Sequence, residues 1–206
     1  MITLQLRLSG SWTTYGLFFH ELESDRCEVV FEDEKVIVST IPLKHRIYTN
    51  GFLFREKSGE KKINAEAMKR YQIEVCYFQN VKNGKDITLE DGTVIPNAEL
   101  TFEPLPPKSY AYCSDTVYDE SIVPYIKEVD VLYHESTFLD SESALAGKTM
   151  HATAKEAAAI AVQANVKQLI LGHYSTRYDS IELFKEEAQT IFNDILLADD
   201  GVSFEF

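Results

Sequence analysis

Three short apolar runs in the second half of the chain each lead into a residue that can take part in chemistry. The runs, with the residues that follow them, are 110–113 with Asp115, 131–133 with His134, and 169–172 with His173. Short apolar runs separated by helical segments are typical of buried strands in an α/β sheet. Because the carboxyl ends of parallel strands meet along one edge, these side chains are expected to converge on a crevice there. The chain is therefore predicted to be an α/β (α+β) protein with its chemistry at one sheet edge.

The segments between and after these runs favour helices. Thr153 and Glu156 fit a capping box ahead of an Ala-rich helix. Pro124 falls in or near the first turn of another predicted helix, where proline is tolerated. The predicted helices are Glu120–Val129, a helix from Thr153 to about Asn165, and Ile181–Phe192, and the predicted closing strands are Ile195–Ala198 and Val202–Phe206.

The first half of the chain is predicted to be mainly β structure. Ile2 to Leu8 alternate apolar and polar side chains, which is the period of a half-buried strand. Asn64 is a candidate cap for a short helix, and Glu90-Asp91-Gly92 lies between two apolar stretches, as in a hairpin. Further strands are predicted at Tyr15–Phe19, Cys27–Phe31, Lys35–Thr40 and Gly51–Phe54. Pro104, Pro106 and Pro107 indicate a crossing inside one domain, so residues 1–206 are predicted to form a single domain.

Charge and cysteine content limit the partners and the compartment. The formal net charge is −13, which does not favour non-specific nucleic-acid binding. Divalent cations would dominate the local field and weaken that objection. The three cysteines contain no C-x-x-C pair and are interpreted as reduced thiols of a cytoplasmic protein. The chain shows no signal-peptide pattern and no apolar run long enough to cross a bilayer, so no membrane association is expected.

Histidine and aspartate near strand ends suggest a metal site, although their spacing alone is a weak signal. His45 lies some residues after an apolar strand, and His134, His173 and Asp115 follow strands in the same way. His and Asp are ordinary zinc ligands. The sequence has neither the close spacing of a zinc ribbon nor an H-E-x-x-H helix.

Four motifs then occur in a fixed order. They are Ser114-Asp115-Thr116, His134-Glu135-Ser136-Thr137, His151-Ala152-Thr153-Ala154, and the segment from Gly172 to Tyr178. This succession resembles ribonuclease Z, a zinc endonuclease family of the metallo-β-lactamase superfamily that trims tRNA 3′ ends. Ser136 and Ala152 each depart by one residue from that family's His-Glu-Ala-Thr and His-Ser-Thr signatures. Residues 42–54 and 83–96 also resemble the family, so the resemblance spans nearly the whole chain.

The resemblance implies a role for five residues. His45 matches a ligand of one zinc ion, Asp115 the carboxylate that bridges two zinc ions, and His173 a ligand of the second. His151 matches the histidine proposed to protonate the leaving oxygen, and Glu135 matches a carboxylate beside it. Two zinc ions about 4 Å apart can stabilise charge on both the attacking and the leaving oxygen. A histidine oriented by a carboxylate can act as general acid.

One family segment has no counterpart in this sequence. The family's H-x-H-x-D-H segment supplies most zinc ligands, and no H-x-H or D-H pair occurs here. Three candidate ligands do not complete a zinc site, which needs four ligands or three plus water. The resemblance implies a four-layered αββα sandwich. This chain is expected to represent mainly the C-terminal half of that sandwich, as a polypeptide truncated either naturally or by design.

The function that this resemblance implies is zinc-dependent removal of 3′ trailers from precursor tRNA, by a cytoplasmic and homodimeric hydrolase. Two alternatives stay open. The chain is either another phosphodiesterase of the metallo-β-lactamase fold or a non-catalytic half-domain that binds little or no metal. Each candidate residue also has a structural interpretation: Asp115 as a turn cap, His151 as a helix-start residue, and His45 as an exposed strand-end histidine. His134 and His20 are expected to be structural.

Overall fold

The computed structural model describes residues 2–206. Eleven strands are present in the described chain. They are β1 (Val29–Glu32), β2 (Val36–Leu43), β3 (Thr49–Glu56), β4 (Lys62–Ile63), β5 (Ile87–Thr88), β6 (Val94–Ile95), β7 (Thr101–Phe102), β8 (Ser109–Cys113), β9 (Val131–Glu135), β10 (Gln168–Gly172) and β11 (Ile195–Leu197). The α-helices are α1 (Ile2–Leu8), α2 (Ala65–Arg70), α3 (Phe78–Lys82), α4 (Asn97–Leu100), α5 (Ser143–Thr149), α6 (Ala154–Gln163) and α7 (Glu182–Ala188).

Seven of these strands form one mixed sheet in the order β1-β2-β3-β8-β9-β10-β11. The pairs from β1 to β8 are antiparallel, whereas β8, β9, β10 and β11 are parallel to one another. Because β2 is antiparallel to β3 and β3 is antiparallel to β8, β2 runs in the same direction as β8. The carboxyl ends of β2, β8, β9 and β10 therefore lie at the same edge of the sheet.

Helices α6 and α7 cover one face of this sheet. Alternate strand residues such as Leu53, Ala111, Leu132 and Leu171 are buried in the same core cluster as Ile160 of α6. The first turn of α6 is fixed by the capping box, in which the Thr153 hydroxyl accepts from the Glu156 amide at 3.2 Å. The small alanines of α6 let its backbone approach the sheet closely, which places the start of the helix beside the edge where β9 ends.

The opposite face of the sheet carries aromatic side chains. Tyr112 and Tyr133 are stacked with ring centroids 4.6 Å apart, and Phe54 lies 5.9 Å from Tyr110. Phe54 and Tyr112 are each more than a third exposed.

Residues 62–102, between β3 and β8, form a small layer of their own. They include three short helices, the ribbon β4-β7 and the hairpin β5-β6. A separate apolar cluster, which includes Met68, Val81 and Leu100, fills this layer. Asn64 caps α2 as predicted, accepting from the Ala67 amide at 3.2 Å, and the predicted hairpin pairs Ile87 with Ile95.

Four predicted elements are wrong. The segment Ile2–Leu8 is helical, because no strand lies beside it to pair with and because Leu, Gln and Arg favour helix locally. Residues 15–19 and 202–206 have no regular structure. Of the predicted helix Glu120–Val129, only a single 3₁₀ turn at Glu120–Ile122 forms. Pro124 contributes to this, since it lacks the backbone amide that a continuing α-helix would donate to the carbonyl oxygen of Glu120.

Gly51 gives a testable point about sheet packing. A Cβ atom there would collide with the backbone carbonyl oxygen of Tyr112 on β8. Gly51→Ala is therefore expected to lower the free energy of unfolding by about 1–3 kcal/mol, as overpacking usually does. Gly147→Ala in α5 is the matched control, because its Cβ would meet no atom within 4 Å. Urea denaturation of both variants measures the effect, and equal stability of the two would contradict it.

Candidate metal centre

The sheet edge described above brings together four of the five residues singled out from the sequence. Asp115, Glu135, His151 and His173 each have one atom of a type that can bind a metal, and these atoms all lie within 4.8 Å of one another. No other group of three or more potential metal ligands occurs among residues 2–206. Asp115 and His173 follow β8 and β10 and both have left-handed backbones, with φ of 57° and 60°. This geometry turns the chain sharply back at the strand ends, so both side chains lie beside the end of β9.

Glu135 is fully buried and lies at the centre of the group. Its Oε1 accepts from the Thr116 amide at 2.6 Å and from His151 Nδ1 at 2.9 Å. Its Oε2 accepts from the Thr137 hydroxyl at 2.6 Å and from the Ala152 amide at 3.1 Å. Four donors on two oxygens use the acceptor capacity of the carboxylate. Glu135 is therefore a positioning group for the histidines and has no free lone pair to offer a metal ion.

The surroundings of Glu135 stabilise its charged form. Burial raises its pKa, but the His173 ring 3.9 Å away, the hydrogen bonds from Thr137 and His151, and the charge of His151 together outweigh burial and lower the pKa to about 2. The carboxylate is therefore ionised throughout the physiological range and acts as a fixed negative charge behind both histidine rings.

His151 is held by this carboxylate in one orientation. An ionised carboxylate only accepts hydrogen bonds, so the His151 Nδ1 atom carries a hydrogen that it donates to Glu135. The other ring nitrogen, Nε2, is left for a proton or a ligand. The His151 ring centroid is 5.0 Å from that of His45 and 5.3 Å from that of His173. The side chain is only 15% exposed.

Asp115 and His173 have the separation expected of two ligands of one metal ion. His173 Nε2 lies 3.4 Å from Asp115 Oδ1, which is long for a hydrogen bond. Two ligands about 2.0–2.2 Å from a tetrahedral zinc ion are about 3.4 Å apart. Both side chains are also 40–49% exposed, so the site is open to an ion and to further ligands. Asp115 and His173 could therefore supply two of the ligands of a zinc ion. His151 lies beside His173, and His45 lies beside His151.

His45 lies at the same edge but outside the group of four. Its Nδ1 hydrogen is donated to the Met150 carbonyl oxygen at 2.9 Å, which leaves Nε2 without that hydrogen. Met150 has a left-handed backbone with φ of 61° and ends α5. The turn at Met150 thus positions two histidines. The Met150 carbonyl oxygen holds His45, and His151 is the next residue in the chain.

The loop that carries His45 is also tied to the loop that carries Asp115. The Lys44 amide donates to the Thr116 hydroxyl at 3.3 Å, and the Lys44 carbonyl accepts from the Val117 amide at 3.0 Å. The Lys44 ammonium group lies 2.9 Å from the buried carboxylate of Asp119. These contacts fix the two strand-end loops relative to each other.

The two histidines expected to be structural lie away from this arrangement. His134 is fully buried, and burial lowers the pKa of its ring. Its Nδ1 donates to the Glu135 carbonyl at 2.7 Å, and Nε2 has no partner in the structure. His20 is exposed in a segment without regular structure.

Sequence reasoning missed three contributors to the group. Thr137 contacts both Glu135 and His173, Thr116 supplies a backbone donor, and Met150 fixes His45. Thr137 and Thr116 belong to motifs that were recognised, but nothing in their spacing shows which atoms they contact. The left-handed conformation of Met150 has no local sequence signal, since glycine is the usual residue there.

The depressed pKa of Glu135 leads to a prediction on acid stability. Its folded pKa of about 2 lies below the ordinary value of 4.5, so its contribution is fully present above about pH 4.5 and is lost as the pH falls through 2. At about 1.4 kcal/mol per pH unit, this contribution is about 3 kcal/mol. Denaturation measured at about pH 6 and about pH 3 should show about 2 kcal/mol of this loss in the wild type and a smaller loss in Glu135→Gln. Glu90→Gln, at an exposed position, should retain the wild-type loss, and an equal loss in Glu135→Gln would contradict the prediction.

Comparison with solved structures identifies the class of fold. The human tRNase Z, short form, matches with a TM-score of 0.59 and 21% identity, covering 98% of this chain and 61% of that one. The metallo-β-lactamase fold protein YhfI from Bacillus subtilis matches with a TM-score of 0.55 and 16% identity, covering 89% and 54%. The chain has a metallo-β-lactamase fold, as the resemblance implied, with a group of side chains that could hold a metal ion at the sheet edge.

Sequence comparison then finds relatives that are similar over most of the chain. Proteins named ribonuclease Z match from Parabacteroides distasonis, at 45% identity over 188 residues, and from Cytophaga hutchinsonii, at 42% over 205 residues. These matches cover 91% and 99% of this chain, and 62% and 65% of the relatives. The chain is a homologue of ribonuclease Z, and it spans slightly less than two thirds of the length of these relatives. No family model matches the chain.

Proposed function

We propose that this chain carries part of the active site of a zinc-dependent endoribonuclease that removes 3′ trailers from precursor tRNA. The observation that carries the proposal is the buried carboxylate of Glu135, which holds His151 directly and His173 through Thr137, beside Asp115. The relatives named ribonuclease Z are 40–45% identical to this chain over the aligned residues, which supports the same reaction here.

Each residue of the site has a proposed role. Asp115 and His173 would hold the metal, and His45 would offer its Nε2 atom. His151 donates a proton from Nε2 to the leaving oxygen, and Glu135 orients its ring. Zinc, when bound, supplies a Lewis acid that stabilises charge on the phosphodiester.

The ligand set within this chain is incomplete. A zinc ion needs four ligands or three plus water, and Glu135 is fully occupied by hydrogen bonds. We propose that residues 1–206 form a single, incomplete metallo-β-lactamase-like domain, in which groups outside this set complete the coordination of two zinc ions. The 62–65% coverage of the relatives' length supports this view.

Positive charge close to the site would locally offset the negative net charge of the chain. A cavity of about 350 Å³ beside His45 is lined by residues that include Lys44, Arg46 and Met150. The Lys44 ammonium group is paired with Asp119, and Asp25 also lines this cavity, so Arg46 together with bound cations would attract the RNA backbone despite the net charge of −13.

We further propose that the protein acts in the cytoplasm as a homodimer. The three unpaired cysteines are in keeping with a reducing compartment. Large apolar side chains, among them Trp12 and Phe18, are more than 80% exposed and would favour association. No helix among residues 2–206 has the length and apolar character needed to span a membrane. Light scattering after gel filtration tests the dimer, and a monomer at all concentrations would contradict it.

Comparison of two substrates tests the proposed reaction. The gene product that contains this chain, supplied with zinc, should turn over precursor tRNA with a much higher kcat/KM than bis(p-nitrophenyl) phosphate. Faster turnover of the small phosphodiester would favour another phosphodiesterase of the same fold. No turnover of either substrate, with zinc bound, would favour the non-catalytic half-domain.

A further inference from the structure

The Thr137 hydroxyl lies between the carboxylate of Glu135 and the ring of His173. Its Oγ1 atom lies 2.6 Å from Glu135 Oε2 and 2.9 Å from His173 Nδ1. The side chain is 8% exposed, so water cannot readily replace either contact. Glu135 is otherwise 3.9 Å from His173, which is too far for a direct hydrogen bond.

A single hydroxyl hydrogen can serve only one of these two contacts. Glu135 Oε2 accepts a hydrogen bond from the Ala152 amide, and Oε1 accepts one from the Thr116 amide, so both oxygens are acceptors. The Thr137 hydrogen must therefore point to Glu135, because two acceptors 2.6 Å apart would repel each other.

His173 must then supply the hydrogen of the other contact. With its own hydrogen donated to Glu135, the Thr137 oxygen faces His173 Nδ1 with a lone pair only. A neutral ring that carried its hydrogen on Nε2 would place two lone pairs 2.9 Å apart. The alternative contact of Nε2 with Asp115 is long, at 3.4 Å, and does not compensate.

We infer that Thr137 is a positioning residue that fixes neutral His173 as the Nδ1–H tautomer and so presents its Nε2 lone pair toward Asp115. The inference rests on the proposed function for the role of His173 as a metal ligand. The tautomer itself is a property of the chain without metal or RNA. Outer hydrogen bonds of this kind commonly change metal affinity 10–100-fold.

Nitrogen-15 NMR of the histidine rings tests the inference in the metal-free chain. At a pH high enough that the nitrogen-15 shifts of the ring no longer change, so that the ring is neutral, wild-type His173 should show a protonated Nδ1 and an unprotonated Nε2. In Thr137→Val the ring should change to mainly Nε2–H, and Thr137→Ser should restore Nδ1–H. His151 is the internal control, because Glu135 holds its Nδ1 hydrogen directly.

Two results would overturn the inference. One is a wild-type His173 that carries its hydrogen on Nε2, a result that does not depend on any variant folding. The other is a folded Thr137→Val whose His173 keeps the Nδ1 hydrogen. Zinc titration is the second measurement: affinity should fall 10–100-fold in Thr137→Val and recover in Thr137→Ser. Because the tautomer is measured without substrate, a wrong prediction of the tautomer can be distinguished from a failure to cleave precursor tRNA.

Discussion

Asp115→Asn is expected to lower the cleavage of precursor tRNA by about 1000-fold or more. The substitution keeps the shape of the side chain but removes the charge that would hold the metal, and stabilisation of the reacting phosphodiester by the metal is worth several kcal/mol. Asparagine tolerates the left-handed backbone at this position, where φ is 57°. Because Asp115 is also about half exposed, the fold should be retained.

Zinc-dependent cleavage rates measured on the gene product that contains this chain provide the check, with denaturation to confirm stability. Asp179→Asn is the matched control, since Asp179 is exposed and belongs to no cluster of potential metal ligands in the described residues. A folded Asp115→Asn protein that cleaves at the wild-type rate would remove Asp115 from the site.

His151→Asn is expected to lower cleavage about 10²–10⁴-fold, the range usual for loss of a general acid. The asparagine amide can replace the hydrogen bond that His151 Nδ1 donates to Glu135. It has no group at the position of Nε2 that can donate a proton to the leaving oxygen. Affinity for zinc should change little, which separates this effect from that of Asp115→Asn.

A modified substrate isolates the proton transfer. When sulfur replaces the leaving 3′ oxygen, departure needs little protonation, so wild type and His151→Asn should cleave this substrate at similar rates. His20→Asn, at an exposed position outside the site, should behave as wild type with both substrates. An equally slow His151→Asn with both substrates would show that His151 does not act as the acid.

The parts of the fold that could be predicted are those with local signals. Strands β8, β9 and β10 were recognisable as short apolar runs, and the cap at Thr153 follows from residue types three positions apart. The segment Ile2–Leu8 was predicted wrongly because alternation alone does not supply a neighbouring strand.

The site was predictable as a set of residues but not as a network. Motif order selected Asp115, Glu135, His151 and His173, which the structure brings together. The contact of His45 with Met150 depends on a left-handed turn between distant segments, and Thr137 acts through its hydroxyl orientation. Both depend on tertiary geometry, which no spacing in the sequence specifies.

The position of cleavage in precursor tRNA tests the central claim most directly. With zinc supplied, mapping of the products of the gene product that contains this chain should place a single cut after the discriminator base, with a 3′-hydroxyl on the tRNA. A strong chelator should abolish the cut, and added zinc should restore it. Zinc-loaded protein that leaves precursor tRNA intact, or that cuts it equally well with the chelator present, would contradict the account.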